Sequence, residues 1–175
     1  MHTRSLGRSK DGEAIGGSGI IGGPTTIQSG GTLSPGNSPG QITFLSGLTL
    51  NSGSLLAIEF AGTAPGSYDQ LDVQGLFTAG GTLQLTIDTG FTPTLGDSFT
   101  IFNGTTPGLD AGSFDFVTTN YPGLTWDTSA LASTGIITVA SVVPEPSTWV
   151  LLLLGLSGLA LGARRRAQEK GKGTI

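Results

Sequence analysis

The chain has 175 residues, enough for one domain with appendages, and is rich in Gly (30) and poor in charge (11%, against roughly 25% in ordinary soluble domains). It has no cysteine, which excludes disulfides, thiolate metal sites and a cysteine nucleophile. Every Lys and Arg lies near an end, so from Asp11 to Ala163 the charge is all acidic, a field that opposes nucleic acid and anionic lipid.

In chain order, residues 1–19 (MHTRSLGRSKDGEAIGGSG) are polar and Gly-rich and predict a disordered lead-in. They lack the apolar run of a secretory signal peptide. Residues 20–143 predict a β-rich body. Its strands are Gln41–Phe44, Leu48–Leu50, Leu55–Phe60, Gln70–Val73, Thr82–Ile87, Ser98–Phe102, Phe114–Thr118 and Ile136–Val143. In TLQLTID, Leu83, Leu85 and Ile87 face one way and Thr82, Gln84, Thr86 and Asp88 the other. Punctuators separate the strands: SPGNSPG, NSGS, TAPGS, TPTLGD, NGTTPG and YPG. No stretch before residue 147 predicts a helix.

Four copies of a small-Gly-x-(Thr/Leu)-Leu pattern occur: SGGTL (Ser29–Leu33), SGLTL (Ser46–Leu50), SGSLL (Ser52–Leu56) and AGGTL (Ala79–Leu83). Each reads as a Gly-assisted bend feeding a short strand with one inward Leu. Stacked, such units build an all-β single-chain solenoid of the parallel β-helix kind. The copies are unevenly spaced, 17, 6 and 27 residues apart, and a two-sheet β-sandwich is the alternative.

Candidate chemistry in the body is sparse. The one histidine, His2, lies in the lead-in, and without Lys, Arg or Cys a catalytic site would rest on carboxylates and hydroxyls. The expectation is no enzyme, no cofactor and no metal. Asp69 and Asp72 in YDQLD face opposite sides of a strand and read as solvated or turn-capping groups. Calcium at Asp69, Asp72 or Asp97 lacks a loop motif to support it. Asn103-Gly104-Thr105 fits a glycosylation acceptor but reads better as an Asn-Gly hairpin turn. Tyr68, Tyr121 and Trp126 are ring candidates for stacking on sugars, though scattered rings are usually core.

The tail changes character. Val143-Pro144-Glu145-Pro146 is rigid and extended. Ser147 or Thr148 can cap a helix. Residues 147–163 then predict a membrane span of ~25 Å at ~1.5 Å per residue, short against a ~30 Å bilayer core. Trp149 sits at its interface and Leu151, Leu154, Gly158 and Leu161 within it. Gly158 and Gly162 have the spacing of a small-residue helix contact, which a transient span does not need. Arg164, Arg165 and Arg166 follow, and residues 167–175 form a polar end. By the positive-inside rule the arginines and 167–175 are cytoplasmic and the body faces outward.

Residues 142–166, VVPEPSTWVLLLLGLSGLALGARRR, resemble a PEP-CTERM sorting signal: Pro-Glu-Pro, one span, then a basic cluster, in that order. The resemblance implies recognition at Pro144, Glu145 and Pro146 by an exosortase, a membrane-embedded cysteine transpeptidase of Gram-negative bacteria that make exopolysaccharide. The chain would be a substrate, single-pass in the inner membrane before processing and at the cell surface or outside the cell after it. Exopolysaccharide is a candidate partner. Residues 30–103 are more loosely similar to the C-terminal part of autotransporter-type β-helix passengers, through SPGNSPG, YDQLD and LGDSF; no translocating barrel follows. The expected function is a non-enzymatic exported surface or matrix protein. The alternative is a carbohydrate-binding adhesin module of a truncated passenger. An outward body needs export, so the natural start, with a signal peptide and further rungs, is expected upstream of Met1.

Overall fold

The computed structural model describes residues 12–37, 39–104 and 110–142. Strand formation follows the alternation of inward aliphatic or aromatic residues with outward Thr, Ser, Gln and Ala. Five expected strands have the expected bounds: β5 (Gln41–Phe44), β6 (Leu48–Leu50), β7 (Leu55–Phe60), β8 (Gln70–Val73) and β10 (Thr82–Ile87). Others are β1 (Ala14–Gly17), β2 (Gly19–Ile21), β3 (Thr25–Ile27), β4 (Thr32–Pro35) and β9 (Phe77–Ala79). The later strands are β11 (Ser98–Thr100), β12 (Phe102–Gly104), β13 (Ala111–Gly112), β14 (Phe116–Thr119), β15 (Leu124–Asp127) and β16 (Ile136–Val142).

The body is a β-solenoid. Sheet A runs β1-β4-β7-β10-β14, sheet B β2-β5-β8-β12 and sheet C β3-β6-β9-β13. Every pairing within these three sheets is parallel. A chain that winds in one sense returns to each sheet in the same direction, so parallel pairing is forced. A two-sheet sandwich of antiparallel strands is thereby set aside. Inward ladders make the core: Leu33–Leu56–Leu83 on sheet A, with Ile15 partly buried at its start, Ile42–Leu71–Phe102 on B and Leu48–Phe77 on C. Leu33, Leu56, Leu71 and Leu83 are fully buried, each such burial being favourable by ~1.5–3 kcal/mol.

These ladders explain the uneven repeat. SGGTL, SGSLL and AGGTL all enter sheet A and place Leu33, Leu56 and Leu83 in one register. SGLTL enters sheet C instead. Removing that copy merges the first two intervals into one of 23 residues, followed by the 27.

Several expectations are corrected. Strand β1 (Ala14–Gly17) lies inside the expected lead-in 1–19, because it pairs with β4 although AIGG has no alternation of its own. SFTIF is not one strand. Ile101 and Phe102 are both buried, and the chain turns between them from β11 into β12. Asn103-Gly104 is no hairpin: it ends β12, paired in parallel with Asp72 and Val73, and a parallel circuit has no place for a hairpin there. The strand expected at Phe114–Thr118 starts at Phe116.

A helix also forms where none is expected. It is the single turn α1 (Leu131–Thr134), ended by Gly135 in the left-handed region (φ 69°). The Gly135 carbonyl accepts from the N–H groups of Ile101 and Phe102 at 2.9 and 3.2 Å. A Cβ there would collide with the Phe102 carbonyl, so only Gly fits.

Three strands are of another kind. β11, β16 and β15 form sheet D, three antiparallel strands with β16 in the middle. Among the described residues no helix is long and apolar enough to cross a membrane. The span expected at 147–163, with Trp149, Leu151, Leu154, Gly158, Leu161 and Arg164–Arg166, lies outside the described residues, as do Pro144, Glu145 and Pro146.

Candidate functional site

The circuits lengthen most at one corner. Between sheets B and C the first three connections, 22–24, 45–47 and 74–76, are three residues each, and the last is 105–110. Between sheets A and B they grow: Ser18 alone, then 36–40, 61–69 and 88–101. Insertions in a solenoid collect on one face, often the working face. This edge carries SPGNSPG, TAPGSYD and TPTLGDSF, the segments behind the looser resemblance.

Asp69 organises that edge. It is the one carboxylate buried among the described residues, 2% exposed. One oxygen accepts from the Gly40 N–H at 2.7 Å and the other from the Glu59 N–H at 2.9 Å. Its own N–H donates back to the Glu59 carbonyl at 2.9 Å, and the Gln70 N–H donates to the Gly40 carbonyl at 2.9 Å. Residues 69–70 therefore engage both main-chain groups of Glu59 in one strand and of Gly40 in the neighbouring turn. Burial pushes the Asp69 carboxyl up to about 6; the two N–H donors pull it down and the nearby Glu59 charge adds to the rise. The group that the sequence reads as solvated or turn-capping does cap a turn, but from inside the protein.

Gly36 shares this pocket of main chain. Its φ is +84°, and a Cβ would lie 2.6 Å from the Gly40 Cα and 2.8 Å from an Asp69 oxygen. Gly36→Ala is expected to destabilise by about 1–3 kcal/mol through left-handed strain and this crowding. Urea titration of the purified chain reads it, and an unchanged midpoint contradicts this account of the turn.

The other acidic groups repeat the theme. With no Lys or Arg between residues 12 and 163, they turn to backbone N–H groups and hydroxyls. Asp110 accepts from the Phe77 N–H at 2.7 Å. Asp115 accepts from the Gly81 N–H at 3.1 Å and the Ser52 hydroxyl at 2.8 Å. Asn120 caps Ile87 through both its amide atoms. These three pin the last circuit to the one before it.

Asp97 accepts from the Thr94 N–H within its own turn. Asp127 is held below the usual carboxylate range by the Ser129 hydroxyl and N–H. Asp72 faces outward from β8 and meets Gln74. Asp69, Asp72 and Asp97 are thus engaged separately. No three His, Cys, Asp or Glu side chains among the described residues are grouped to hold a metal.

The rings weighed for sugars point inward. Tyr68 is buried and packs edge-on against Phe99 at 5.2 Å. Trp126 stacks on Phe60 at 5.3 Å and packs against Phe99 at 5.8 Å. Tyr121 is partly buried against the core. Together Phe60, Tyr68, Phe91, Phe99 and Trp126 join the solenoid's long corner to sheet D.

Sheet D leads to the tail. Its central strand β16 ends at Val142, with only Val143 before Pro144. Residues 142–166 match the PEP-CTERM protein-sorting motif. The match takes in Pro144, Glu145, Pro146, the apolar run and all three arginines. No curated protein matches the chain, and no homologue supports the autotransporter-like reading of the body. The PEP-CTERM motif supports an exported protein processed by an exosortase. Sequence reading found this motif because its signal is linear. It missed the Asp69 corner and the pairing of β15 with the strand that carries the motif, since both depend on residues far apart in the chain.

Proposed function

We propose that this protein is an exosortase substrate whose solenoid body is delivered to the cell surface or the extracellular matrix and acts there without catalysis. The PEP-CTERM motif at 142–166 carries this reading. It implies recognition at Pro144, Glu145 and Pro146, with residues 147–163 as a transient inner-membrane span and Arg164–Arg166 on the cytoplasmic side. The body's use of Asp69, Asp97, Asp110 and Asp115 as acceptors for its own backbone supports a structural role for them. Its all-acidic charge supports solubility outside the cell and gives no surface for nucleic acid.

The test is mass spectrometry of the chain from a Gram-negative host with an active exosortase. The wild type is expected to lose its Ile175 terminus. A variant with Pro144→Ala, Glu145→Gln and Pro146→Ala is expected to keep it and to stay in the membrane fraction. An intact terminus in the mature wild type would sink the sorting role.

A further inference from the structure

The strand that leads into the sorting motif is divided in two. On the inner side of β16, Ile137 and Val139 are buried, Asp127 pairs with Thr138 and Trp126 with Val139. Strand β11 covers the other edge of this inner part through Ser98–Thr138, Phe99–Ile137 and Thr100–Ile136. The register then slips between Thr125 and Trp126, leaving Ala140 opposite no residue. Beyond the slip, Thr125 pairs with Ser141 and Leu124 with Val142. Among the described residues this outer part is held by β15 alone. Across it the Thr125 and Ser141 hydroxyls are hydrogen-bonded, 2.6 Å apart and exposed. A bulge of this kind ends cooperative pairing, so the outer pairs can open while the inner ones stay shut.

We infer that the segment handed to the processing enzyme begins at Ser141, and that the Ser141–Val142 clip must open for the Pro-Glu-Pro site to be engaged. This rests on the exosortase reading above. Enzymes that act on peptide segments commonly take them as extended strands. With the clip closed, Val143 is the only spacer between the folded body and Pro144, and one extended residue reaches ~3.5 Å, less than the ~4.8 Å between paired strands. With the clip open, residues 141–143 supply ~10 Å. Opening leaves Ile137, Val139 and the Phe99–Trp126 packing in place, so the body stays folded while its last residues are presented.

The chain has no cysteine, so Thr125→Cys with Ser141→Cys introduces one disulfide and no alternatives. In an exosortase-positive host the oxidised pair is expected to keep its tail. Reduction is expected to restore processing. A flexible Gly-Ser spacer inserted after Val142 is expected to restore it with the disulfide intact, and each single-cysteine variant is expected to be processed like the wild type. The clip is overturned if the verified disulfide form is processed at the wild-type rate, if the spacer fails to rescue it, or if a single cysteine blocks processing as fully as the pair. If the wild type itself keeps its tail, the sorting reading fails, and the clip with it.

Discussion

Asp69→Ala is expected to lower stability by about 2–5 kcal/mol, because it leaves two N–H donors at a buried corner, those of Gly40 and Glu59, without their acceptor. The loss falls where residues 36–40 and 61–69 are tied together. The wild type should also show a pH signature.

For Asp69 the folded carboxyl titrates near about 6, above its ordinary value of 3.8. The folded state therefore binds the proton more tightly than the unfolded chain does. Stability from this source is fully present below 3.8 and is lost as pH rises through about 6. Asp127 works the other way, its carboxyl being depressed; its contribution is lost only as pH falls below the ordinary carboxylate range, in a separate window. Urea midpoints between pH 4 and 7 should fall with rising pH in the wild type. In Asp69→Asn the slope should flatten, since nothing there titrates. An equal slope in both would assign the pH dependence to the general repulsion of the acidic body.

Legibility in the sequence followed the range of the interactions. β5, β6, β7, β8 and β10 could be read to the residue because each alternates inward Leu, Ile, Val or Phe with outward Thr, Gln, Ala or Glu, a local pattern. β1 could not: Ala14–Gly17 is a strand only because β4 supplies its partner. The repeat was visible, but the sheet each copy enters was not, because SGLTL and SGGTL look alike and differ only in which corner precedes them. YDQLD shows two acids on opposite faces; it does not show that Gly40, 29 residues earlier, delivers an N–H to one of them. The Thr125–Ser141 clip has no local signature at all. The tail was legible because its meaning lies in linear order: rigid Pro-Glu-Pro, apolar run, arginines.

Phe99→Ala is expected to cost about 3–5 kcal/mol, a large share of the ~5–15 kcal/mol that holds a typical domain together. Phe99 is fully buried, and its ring meets Phe60 at 4.7 Å, Tyr68 at 5.2 Å, Trp126 at 5.8 Å and Phe91 at 6.2 Å. Phe60 and Tyr68 belong to the solenoid corner, and Trp126 to sheet D. Truncating Phe99 removes a ring that packs against both sides. Edge-on ring pairs add ~0.5–1.5 kcal/mol each beyond area burial, so Phe99→Leu should lose part of the stability while keeping most of the volume. Phe116, 68% exposed on β14, is the control: Phe116→Ala should stay within about 0.5 kcal/mol of wild type. Loss of the shared ring should also be local in its first effect. Limited proteolysis of Phe99→Ala should cut within residues 124–142 before it cuts the sheet A, B and C circuits. Simultaneous loss of both would mean that sheet D and the solenoid unfold as one unit, with the ring cluster inside a single cooperative core.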